Sequence, residues 1–288
     1  MTGVRERYWA TQEETSVSLA VRAASELLGS QDLGLHEVDA IYCATGSPVA
    51  ITPSTAALIL ACLSKGEPEP PLIQVTDINS ACCGYLYALQ AAWDAVNYNP
   101  EAKVLVVTTE TLSRRLSSSA PSTFPIFGDA VTATLVIGAA NSSRMLAGVE
   151  RPVLSGKGES DPSLRVPLES GQIIHMDGPR VFSGAVKYML LGLRQALDKL
   201  GLTLRDLDLI VPHQCNQRIL DAFCNRAGVP ERVLFSNIAL YGNTSSSSIP
   251  LCLQGVLSER VENRLVGLCA FGGGLTFGSA ILRLLPKH

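Results

Sequence analysis

Four segments of the sequence carry groups that suit nucleophilic acyl chemistry. The first, DINSACCGYLYAL (77–89), holds two adjacent cysteines between a strand-like run and a helix-like run. The second places His213 directly after the apolar run LDLIVP, and the third places Asn243 between a glycine and a threonine. The fourth, AFGGGLTFGSA (270–280), contains three consecutive glycines. A thiol, an imidazole, an amide and free backbone N–H groups together fit acyl transfer through a thioester.

Cys82 is the candidate nucleophile. The predicted strand ends near Ile78 and a helix begins after Gly84, so the thiol lies at a helix N-terminus, where the dipole favours thiolate. Gly84 also permits a sharp turn and the close approach of a substrate. Most cysteines in apolar segments are small buried residues, however. The local sequence therefore leaves both a nucleophile and a structural thiol open.

The other candidates have structural alternatives as well. His213 follows a predicted parallel strand at the edge where α/β sheets bind ligands, although a lone histidine is usually structural. Asn243 is either a fixed amide donor opposite the thiol or part of a turn that caps a helix. The glycine triplet is compatible with an oxyanion hole of backbone N–H groups. A cysteine-protease triad uses the same residue types, but the layout of the chain does not favour that fold.

The chain repeats one plan of helices and strands. LGLHEVDAIYCATGS (33–47) matches LTLRDLDLIVPHQCN (202–216) without a gap. The strand-like runs 72–78 and 103–110 have counterparts in 233–243 and 264–271. Each half alternates helix and strand, which predicts two mostly parallel sheets covered by helices. We place the division between residues 1–142 and 143–288.

The second half begins with an extra strand, near residues 145–155, that has no equivalent in the first half. The repeat therefore predicts that one element is absent at the N-terminus.

Composition excludes several classes of protein. The chain has 288 residues, 47% of them hydrophobic and 17% charged, which favours a well-packed globule over disorder. A net charge of −3 gives no signature of nucleic-acid binding. No apolar run reaches the roughly 18 residues that span a membrane, and the N-terminal segment does not resemble a signal peptide. The eight cysteines form no CxxC motif, so we expect no zinc site and a reduced, cytoplasmic protein.

These motifs resemble those of the β-ketoacyl-acyl-carrier-protein synthase III family. DINSACCGYLYAL, VPHQCNQRI, YGNTSSSSIP and FGGGLTFGSA occur in the family's order and spacing, and the similarity covers nearly the whole chain. The resemblance implies an α/β, thiolase-like fold with duplicated βαβαβαββ halves stacked as α-β-α-β-α layers. In that scheme the N-terminal half lacks its first strand, because the chain starts at MTGVRER, where the family has a further segment. The resemblance implies that this is a central strand, whose absence would weaken stability, CoA binding or activity. The alternative is that the sequence is a truncated piece.

The resemblance also assigns catalytic roles. It makes Cys82 the nucleophile, with Cys83 in a variable position, and adds His213 and Asn243 as its catalytic partners. The backbone N–H groups of Cys82 and Gly273 would form the oxyanion hole. Thiolases and elongating synthases replace the asparagine, so Asn243 favours the type III branch.

Four further residues are expected to contact substrates. Arg218 matches a basic position near the tunnel mouth, where a CoA phosphate or an acidic carrier protein would bind, although it is equally a solvated surface charge. Asn216 and Phe182 are also expected to bind the substrate or the carrier protein. Thr52 stands where family members limited to short primers have a bulky residue that reaches the partner subunit's acyl pocket. A threonine there implies a larger or unusual acyl group.

The implied reaction is a decarboxylative condensation that initiates fatty acid biosynthesis. Cys82 accepts an acyl group from acyl-CoA, and malonyl-acyl-carrier protein then enters, with His213 and Asn243 stabilising its enolate. No metal or other cofactor is expected. The expected partners are acyl-CoA, acyl carrier protein and a second copy of the chain in a homodimer, with no nucleic acid and no membrane.

Two other functions remain open at this point. One is a type III-like enzyme of secondary metabolism with a non-acetyl primer or a different acceptor. The other is a non-catalytic partner subunit with a shortened N-terminus. The intact Cys82, His213 and Asn243 speak against the second.

Overall fold

The computed structural model describes residues 2–159, 162–168, 171–259 and 264–286. Within these residues the order of helices and strands follows the predicted duplication. The helices are α1 (Ser16–Ser30), α2 (Thr55–Leu63), α3 (Gly84–Tyr98), α4 (Gly178–Asp198), α5 (Gln217–Ala227), α6 (Ile238–Tyr241) and α7 (Ser248–Glu259).

The strands form two main sheets and a small ribbon. They are β1 (Ala40–Ala44), β2 (Gln74–Ile78), β3 (Lys103–Glu110), β4 (Ala130–Ile137), β5 (Ala147–Val149), β6 (Val153–Gly156), β7 (Leu164–Arg165), β8 (His175–Met176), β9 (Leu209–Pro212), β10 (Leu265–Gly272) and β11 (Thr276–Leu284). The first sheet has the order β2-β1-β3-β4, in which only β4 is antiparallel to its neighbour. The second has β9 parallel to β10, with β11 antiparallel to β10 and to both β5 and β6. β7 and β8 pair with each other.

Side-chain caps set the start of several helices. Thr15, Ser54 and Asp177 cap α1, α2 and α4 by accepting a hydrogen bond from a backbone N–H of the first turn. Asn216 caps α5 in the same way, and Gly228 ends that helix in the left-handed conformation. The caps therefore fix the positions at which these helices begin and at which α5 ends.

The core has five layers. The central cluster joins α3 and α7 to the inner faces of both sheets, with Leu86 and Ile249 packed among strand residues such as Val104 and Val211. A second cluster joins α4 and α5 to the outer face of the second sheet. A third joins α1 and α2 to the outer face of the first sheet. The α-β-α-β-α stacking expected of a thiolase-like fold is thus confirmed.

Two details depart from the predicted repeat. Residues 233–243, expected to match β2, make a single bridge between Ile210 and Leu234 before the short helix α6. The Gln214 side chain accepts hydrogen bonds from Ser236 Oγ and Asn237 N. These contacts turn the segment away from β9, so no full strand forms there.

The extra strand of the second half is the other departure. It consists of β5 and β6, which pair with β11 at the edge of the sheet. Among the described residues, β4 has no strand on its outer side. The unmatched element therefore corresponds to an edge strand, and the expectation of a central strand is wrong.

Candidate active site

Cys82 lies in a single 3-10 turn, Ala81–Cys83, that joins the end of β2 to α3. Ala81 takes a left-handed conformation with φ of 47°. The Cys82 side chain is 6% exposed and lines a cavity of about 490 Å³. The turn thus directs one of the two adjacent thiols into the cavity.

The second thiol of the pair faces the core. Cys83 is fully buried, and its Sγ donates a hydrogen bond to the Thr276 carbonyl oxygen at 3.3 Å. It is absent from the lining of the cavity and belongs to the central cluster of α3 and α7. Cys83 is therefore a structural thiol.

Burial dominates the acidity of Cys82. It raises the pKa of the thiol to about 12, and the charge of Glu110 acts in the same direction, whereas a hydrogen bond from the Ser245 side chain lowers it. The helix N-terminus favours the thiolate, and desolvation of the charged form opposes it at this position.

His213 lies where β9 ends. Its backbone N–H donates to the Cys269 carbonyl oxygen at 2.8 Å, which extends the pairing with β10 by one residue. The ring Nδ1 lies 2.7 Å from Ser248 Oγ, and the Gln214 N–H donates to the same oxygen at 3.4 Å. Burial lowers the pKa of His213 to about 3. The imidazole is therefore neutral at physiological pH.

Asn243 is held by both halves of the chain. Its N–H donates to the Ile126 carbonyl oxygen at 2.9 Å, and its own carbonyl oxygen accepts from the Gly128 N–H at 3.0 Å. The side-chain Oδ1 accepts from the Ser245 N–H at 2.9 Å. Because Oδ1 is occupied in this way, the NH2 end of the amide is the end available to a ligand.

The glycine triplet packs against the nucleophile turn. A Cβ on Gly272 would lie 2.9 Å from Cys82 N, and one on Gly273 would lie 2.8 Å from the Leu164 carbonyl oxygen. Thr276 Oγ1 donates to the Ser80 carbonyl oxygen at 3.1 Å, which ties the two turns together. Backbone approach at this point therefore requires residues without side chains.

One cavity collects most of the predicted site residues. Its lining includes Cys82, His213 and Asn243 together with the expected binding residues Asn216, Arg218 and Phe182. Gly273 and Thr52 are not in the lining, and Thr52 is exposed. The remaining lining is mainly apolar and comes from both halves, including Ile126, Phe127, Leu164, Met176, Val181, Ala185 and Phe271.

The expected binding residues occupy two different settings. Arg218 is exposed and lies over the Phe182 ring, with 6.0 Å between guanidinium carbon and ring centroid. Asn216 caps α5 by accepting from the Arg218 N–H at 2.9 Å. Arg218 is the charged side chain of the lining among the described residues. The cavity lining therefore combines one exposed cationic side chain, Arg218, with the buried thiol, imidazole and amide of Cys82, His213 and Asn243.

Sequence reasoning missed four residues in or near the site. The run TSSSS was visible, but its spacing predicts a turn and a helix cap rather than contacts of Ser245 and Ser248 with the reacting groups. Cys215, which lines the cavity, follows His213 by two positions. Glu110 had no local signal, because its partners lie in other segments of the chain.

Metal coordination has no support among the described residues, where no three His, Cys, Asp or Glu side chains come together as ligands. Within the same residues, no helix is both long enough and apolar enough to cross a membrane.

Sequence comparisons point to one family. The family model described as 3-oxoacyl-[acyl-carrier-protein] synthase III matches residues 76–150, and the model of its C-terminal region matches residues 197–284. A beta-ketoacyl-[acyl-carrier-protein] synthase III of Oleidesulfovibrio alaskensis is 36% identical over 297 residues. That similarity covers 98% of this chain and 88% of the relative.

Solved structures agree with the sequence comparisons. The 3-oxoacyl-[acyl-carrier-protein] synthase III of Aquifex aeolicus has a TM-score of 0.87 at 34% identity, covering 98% of this chain and 88% of that one. The priming beta-ketosynthase of the R1128 polyketide pathway has a TM-score of 0.86 at 30% identity, with 99% and 86% covered. These similarities confirm the resemblance drawn from the four motifs. The chain belongs to the β-ketoacyl-[acyl-carrier-protein] synthase III family, a family of condensing acyltransferases.

Proposed function

We propose that the protein is a 3-oxoacyl-[acyl-carrier-protein] synthase III that condenses an acyl-CoA primer with malonyl-acyl-carrier protein through an acyl-Cys82 intermediate. The observation that supports this most is the meeting of Cys82, His213 and Asn243, from three distant segments, in one largely apolar cavity. A thiol beside two neutral hydrogen-bond donors suits a thioester substrate.

In the first half-reaction, Cys82 Sγ attacks the thioester carbonyl carbon of acyl-CoA. The developing oxyanion accepts hydrogen bonds from the backbone N–H groups of Cys82 and Gly273. The bond to the CoA sulfur breaks, and the proton of Cys82 ends on CoA as its thiol. The exchange conserves protons, so the raised pKa of Cys82 is compatible with acyl transfer between two sulfur atoms.

In the second half-reaction, malonyl-acyl-carrier protein loses CO2 and leaves an enolate. Ser248 Oγ lies 2.7 Å from His213 Nδ1, and we assign its hydroxyl as the donor of that hydrogen bond. With this assignment Nε2 carries the ring proton and donates to the thioester oxygen, alongside the amide NH2 of Asn243. The carbanion attacks the acyl-cysteine, and the released Cys82 sulfur takes up a proton. No metal or other cofactor is needed, because loss of CO2 supplies the carbanion.

Carrier-protein and CoA binding are assigned to the cavity mouth. Arg218 offers a cation to a phosphate, and its packing over Phe182 limits the conformations of both side chains. Asn216 offers its remaining amide donors beside them. The contribution of these residues is to binding rather than to the reacting atoms.

We also propose a homodimer formed along β2. This strand pairs only with β1 among the described residues, and its side chains are mostly exposed or half-buried. Leu72 just before it and Ile51 near the start of α2 are large exposed apolar residues. In such a dimer the exposed Thr52 would reach the partner's acyl pocket, consistent with its absence from this chain's cavity.

The dimer is tested by sedimentation velocity. The wild type is expected at the mass of two chains, and Leu72→Glu at the mass of one, because a charge would be buried in the interface. Leu200→Glu, at another exposed leucine, is the control and is expected to remain dimeric. A monomeric wild type would exclude the arrangement.

A cytoplasmic location is the remaining part of the proposal. All eight cysteines are free thiols, and seven of them are buried. Reduced thiols in this number are typical of a reducing compartment.

Intact-protein mass spectrometry after incubation with a panel of acyl-CoAs tests the enzymatic proposal. A single acyl adduct is expected in the wild type and in Cys83→Ala, and none in Cys82→Ala. An adduct that persists in Cys82→Ala, or its absence from folded wild type with every donor, would contradict the proposal.

The same panel separates the second candidate function. Similarity to a priming beta-ketosynthase of a polyketide pathway and the small residue at Thr52 both favour a non-acetyl primer. Acylation by acetyl-CoA would assign the chain to fatty acid initiation. Acylation by larger donors, with acetyl-CoA rejected, would assign it to a pathway with an unusual primer.

A further inference from the structure

Glu110 is a buried carboxylate outside the catalytic cavity. It ends β3 and is 0% exposed. Its oxygens accept hydrogen bonds from the Gly46 N–H at 3.2 Å, Ser47 Oγ at 2.9 Å and Ser246 Oγ at 2.7 Å, with the Ser246 N–H at 3.4 Å. All of these donors are neutral. Burying a carboxylate is costly when its partners among the described residues are all neutral, so its presence calls for an explanation other than stability.

The internal duplication shows what the carboxylate replaces. The 3-10 turn Ala81–Cys83 before α3 corresponds to the 3-10 turn Ser245–Ser247 before α7, so Cys82 corresponds to Ser246. The ends of β3 and β10, Glu110 and Gly272, also correspond. Gly272 lies against Cys82 N, whereas Glu110 accepts from Ser246 N. The carboxylate thus occupies, in the second turn, the place that an acyl oxygen would take in the first.

The turn that Glu110 holds reaches all three reacting side chains. The Ser245 N–H donates to Asn243 Oδ1, and the Ser245 side chain hydrogen-bonds the Cys82 thiol. Three residues farther on, Ser248 Oγ contacts His213 Nδ1 at 2.7 Å. A displacement of this turn would therefore move the donors of the thiol, the amide and the imidazole together.

We propose that Glu110 is a positioning residue for the condensation reaction, and that it acts through Ser246 on the turn that orients Cys82, His213 and Asn243. This rests on the proposed roles of those three residues. Burial raises the pKa of Glu110, and the hydrogen bonds from Ser246, Ser47 and Gly46 oppose that rise. The donors that hold the turn in place thus also favour the carboxylate form.

A double-mutant cycle of Glu110→Gln and Ser246→Ala tests the proposal. We expect kcat to fall about 10- to 100-fold in Glu110→Gln with KM changed less than about threefold, because the reacting groups shift while the cavity mouth does not. Ser246→Ala is expected to reproduce most of the loss. The double variant is expected to lose no more than Glu110→Gln, because both changes break one contact.

Thr109→Val is the matched control. Thr109 precedes Glu110 on β3, is fully buried and donates to the Ser16 carbonyl oxygen at 2.8 Å. Its loss is expected to lower the melting temperature without changing kcat. A kcat loss in Thr109→Val equal to that in Glu110→Gln would overturn the proposal, as would additive losses in the cycle. If Glu110→Gln yields no folded protein, Ser246→Ala decides the test, and a wild-type kcat in it overturns the proposal.

Alkylation of Cys82 by iodoacetamide separates this proposal from the proposed function. It requires no substrate, and we expect its rate to change at least about fivefold in Glu110→Gln and Ser246→Ala, since the Ser245 contact with the thiol is altered. Equal rates in the wild type and both variants would overturn the role of Glu110. If no acyl-CoA acylates the wild type, the proposed function would be overturned instead. The alkylation rates would still test the role of Glu110.

Discussion

The two turns that precede the central helices α3 and α7 share one backbone design and differ in what their side chains do. Each is a 3-10 turn whose first residue is left-handed, with φ of 47° at Ala81 and 50° at Ser245. In each, an asparagine two positions earlier accepts from the N–H of that residue, Asn79 at 3.4 Å and Asn243 at 2.9 Å. The first turn opens onto the cavity, and the second is closed by Glu110.

The difference lies in the strand ends that face each turn. Gly272 places no side chain of its own against Cys82 N, whereas Glu110 supplies an acceptor to Ser246 N. The strand end Ala44 packs against Gly84, whereas its counterpart His213 is held by Ser248. In the proposed mechanism, one turn of the duplicated scaffold therefore binds the substrate and the other supports it. Under this proposal, reactivity depends on the residues that face the turn more than on the turn itself.

Moving the thiol to the second turn should have the largest effect. Cys82→Ala is expected to lower acylation by at least about 10³-fold, and adding Ser246→Cys should not restore it, because Glu110 stands where the acyl oxygen would bind. Intact-protein mass after acyl-CoA treatment measures both. An acyl adduct on the introduced cysteine would show that the two turns are equivalent.

Adding a side chain at Gly272, which faces the first turn, should cause the next largest loss of activity. Gly272→Ala places a Cβ 2.9 Å from Cys82 N. We expect kcat to fall about 100-fold, as when one oxyanion donor is lost. Gly148→Ala, where a Cβ would meet nothing within 4 Å, is the control. Equal kcat in the two variants would exclude Gly272 from the site.

Replacing His213 by alanine gives the end of β9 the same residue type as its counterpart Ala44 at the end of β1. The replacement should change the pH dependence of the free energy of unfolding. Burial lowers the pKa of His213 to about 3 from an ordinary 6.5, so the unfolded chain takes up the proton first as pH falls. Stability is therefore lost from about pH 6.5 downward. Between pH 7 and pH 5 the wild type should lose about 2 kcal/mol more unfolding free energy than His213→Ala.

Urea unfolding at the two pH values measures this difference. His36→Ala, which removes an exposed imidazole, is the control and should follow the wild type. Parallel losses in the wild type and His213→Ala would contradict the lowered pKa.

Removing the imidazole support should have the smallest effect. Ser248→Ala leaves Nδ1 without its 2.7 Å partner, so the ring proton is no longer held on Nε2. We expect condensation to slow about tenfold, and 15N chemical shifts of His213 to show a mixture of tautomers. Ser258→Ala, farther along α7 with its hydroxyl bonded to the Gly255 carbonyl oxygen, should change neither. An unchanged tautomer in Ser248→Ala would remove this role from Ser248.

The meeting of Cys82 and His213 was predictable from the sequence because both follow strands, whereas Asn243 follows the short helix α6. His213 follows an apolar run, and parallel strands bring their carboxyl ends to one edge, so its convergence with Cys82 could be expected. The pKa of Cys82 could not be predicted from the sequence. The helix dipole is a local property of the chain, whereas burial depends on what packs around the thiol. The prediction of a strand at 233–243 was wrong for a similar reason. There the Gln214 side chain accepts hydrogen bonds from Ser236 and Asn237, which the local sequence does not indicate.

The sequence alone encodes the duplicated order of helices and strands and the residue types that meet in the cavity. These follow from periodicity and from short polar signals that act over a few positions. Which of the two adjacent thiols enters the cavity depends on tertiary packing, and so does the contact of Glu110 with the serine turn. Glu110 and Ser246 are 136 positions apart. No local pattern encodes such a contact, because it exists only once the two sheets have packed on α3 and α7.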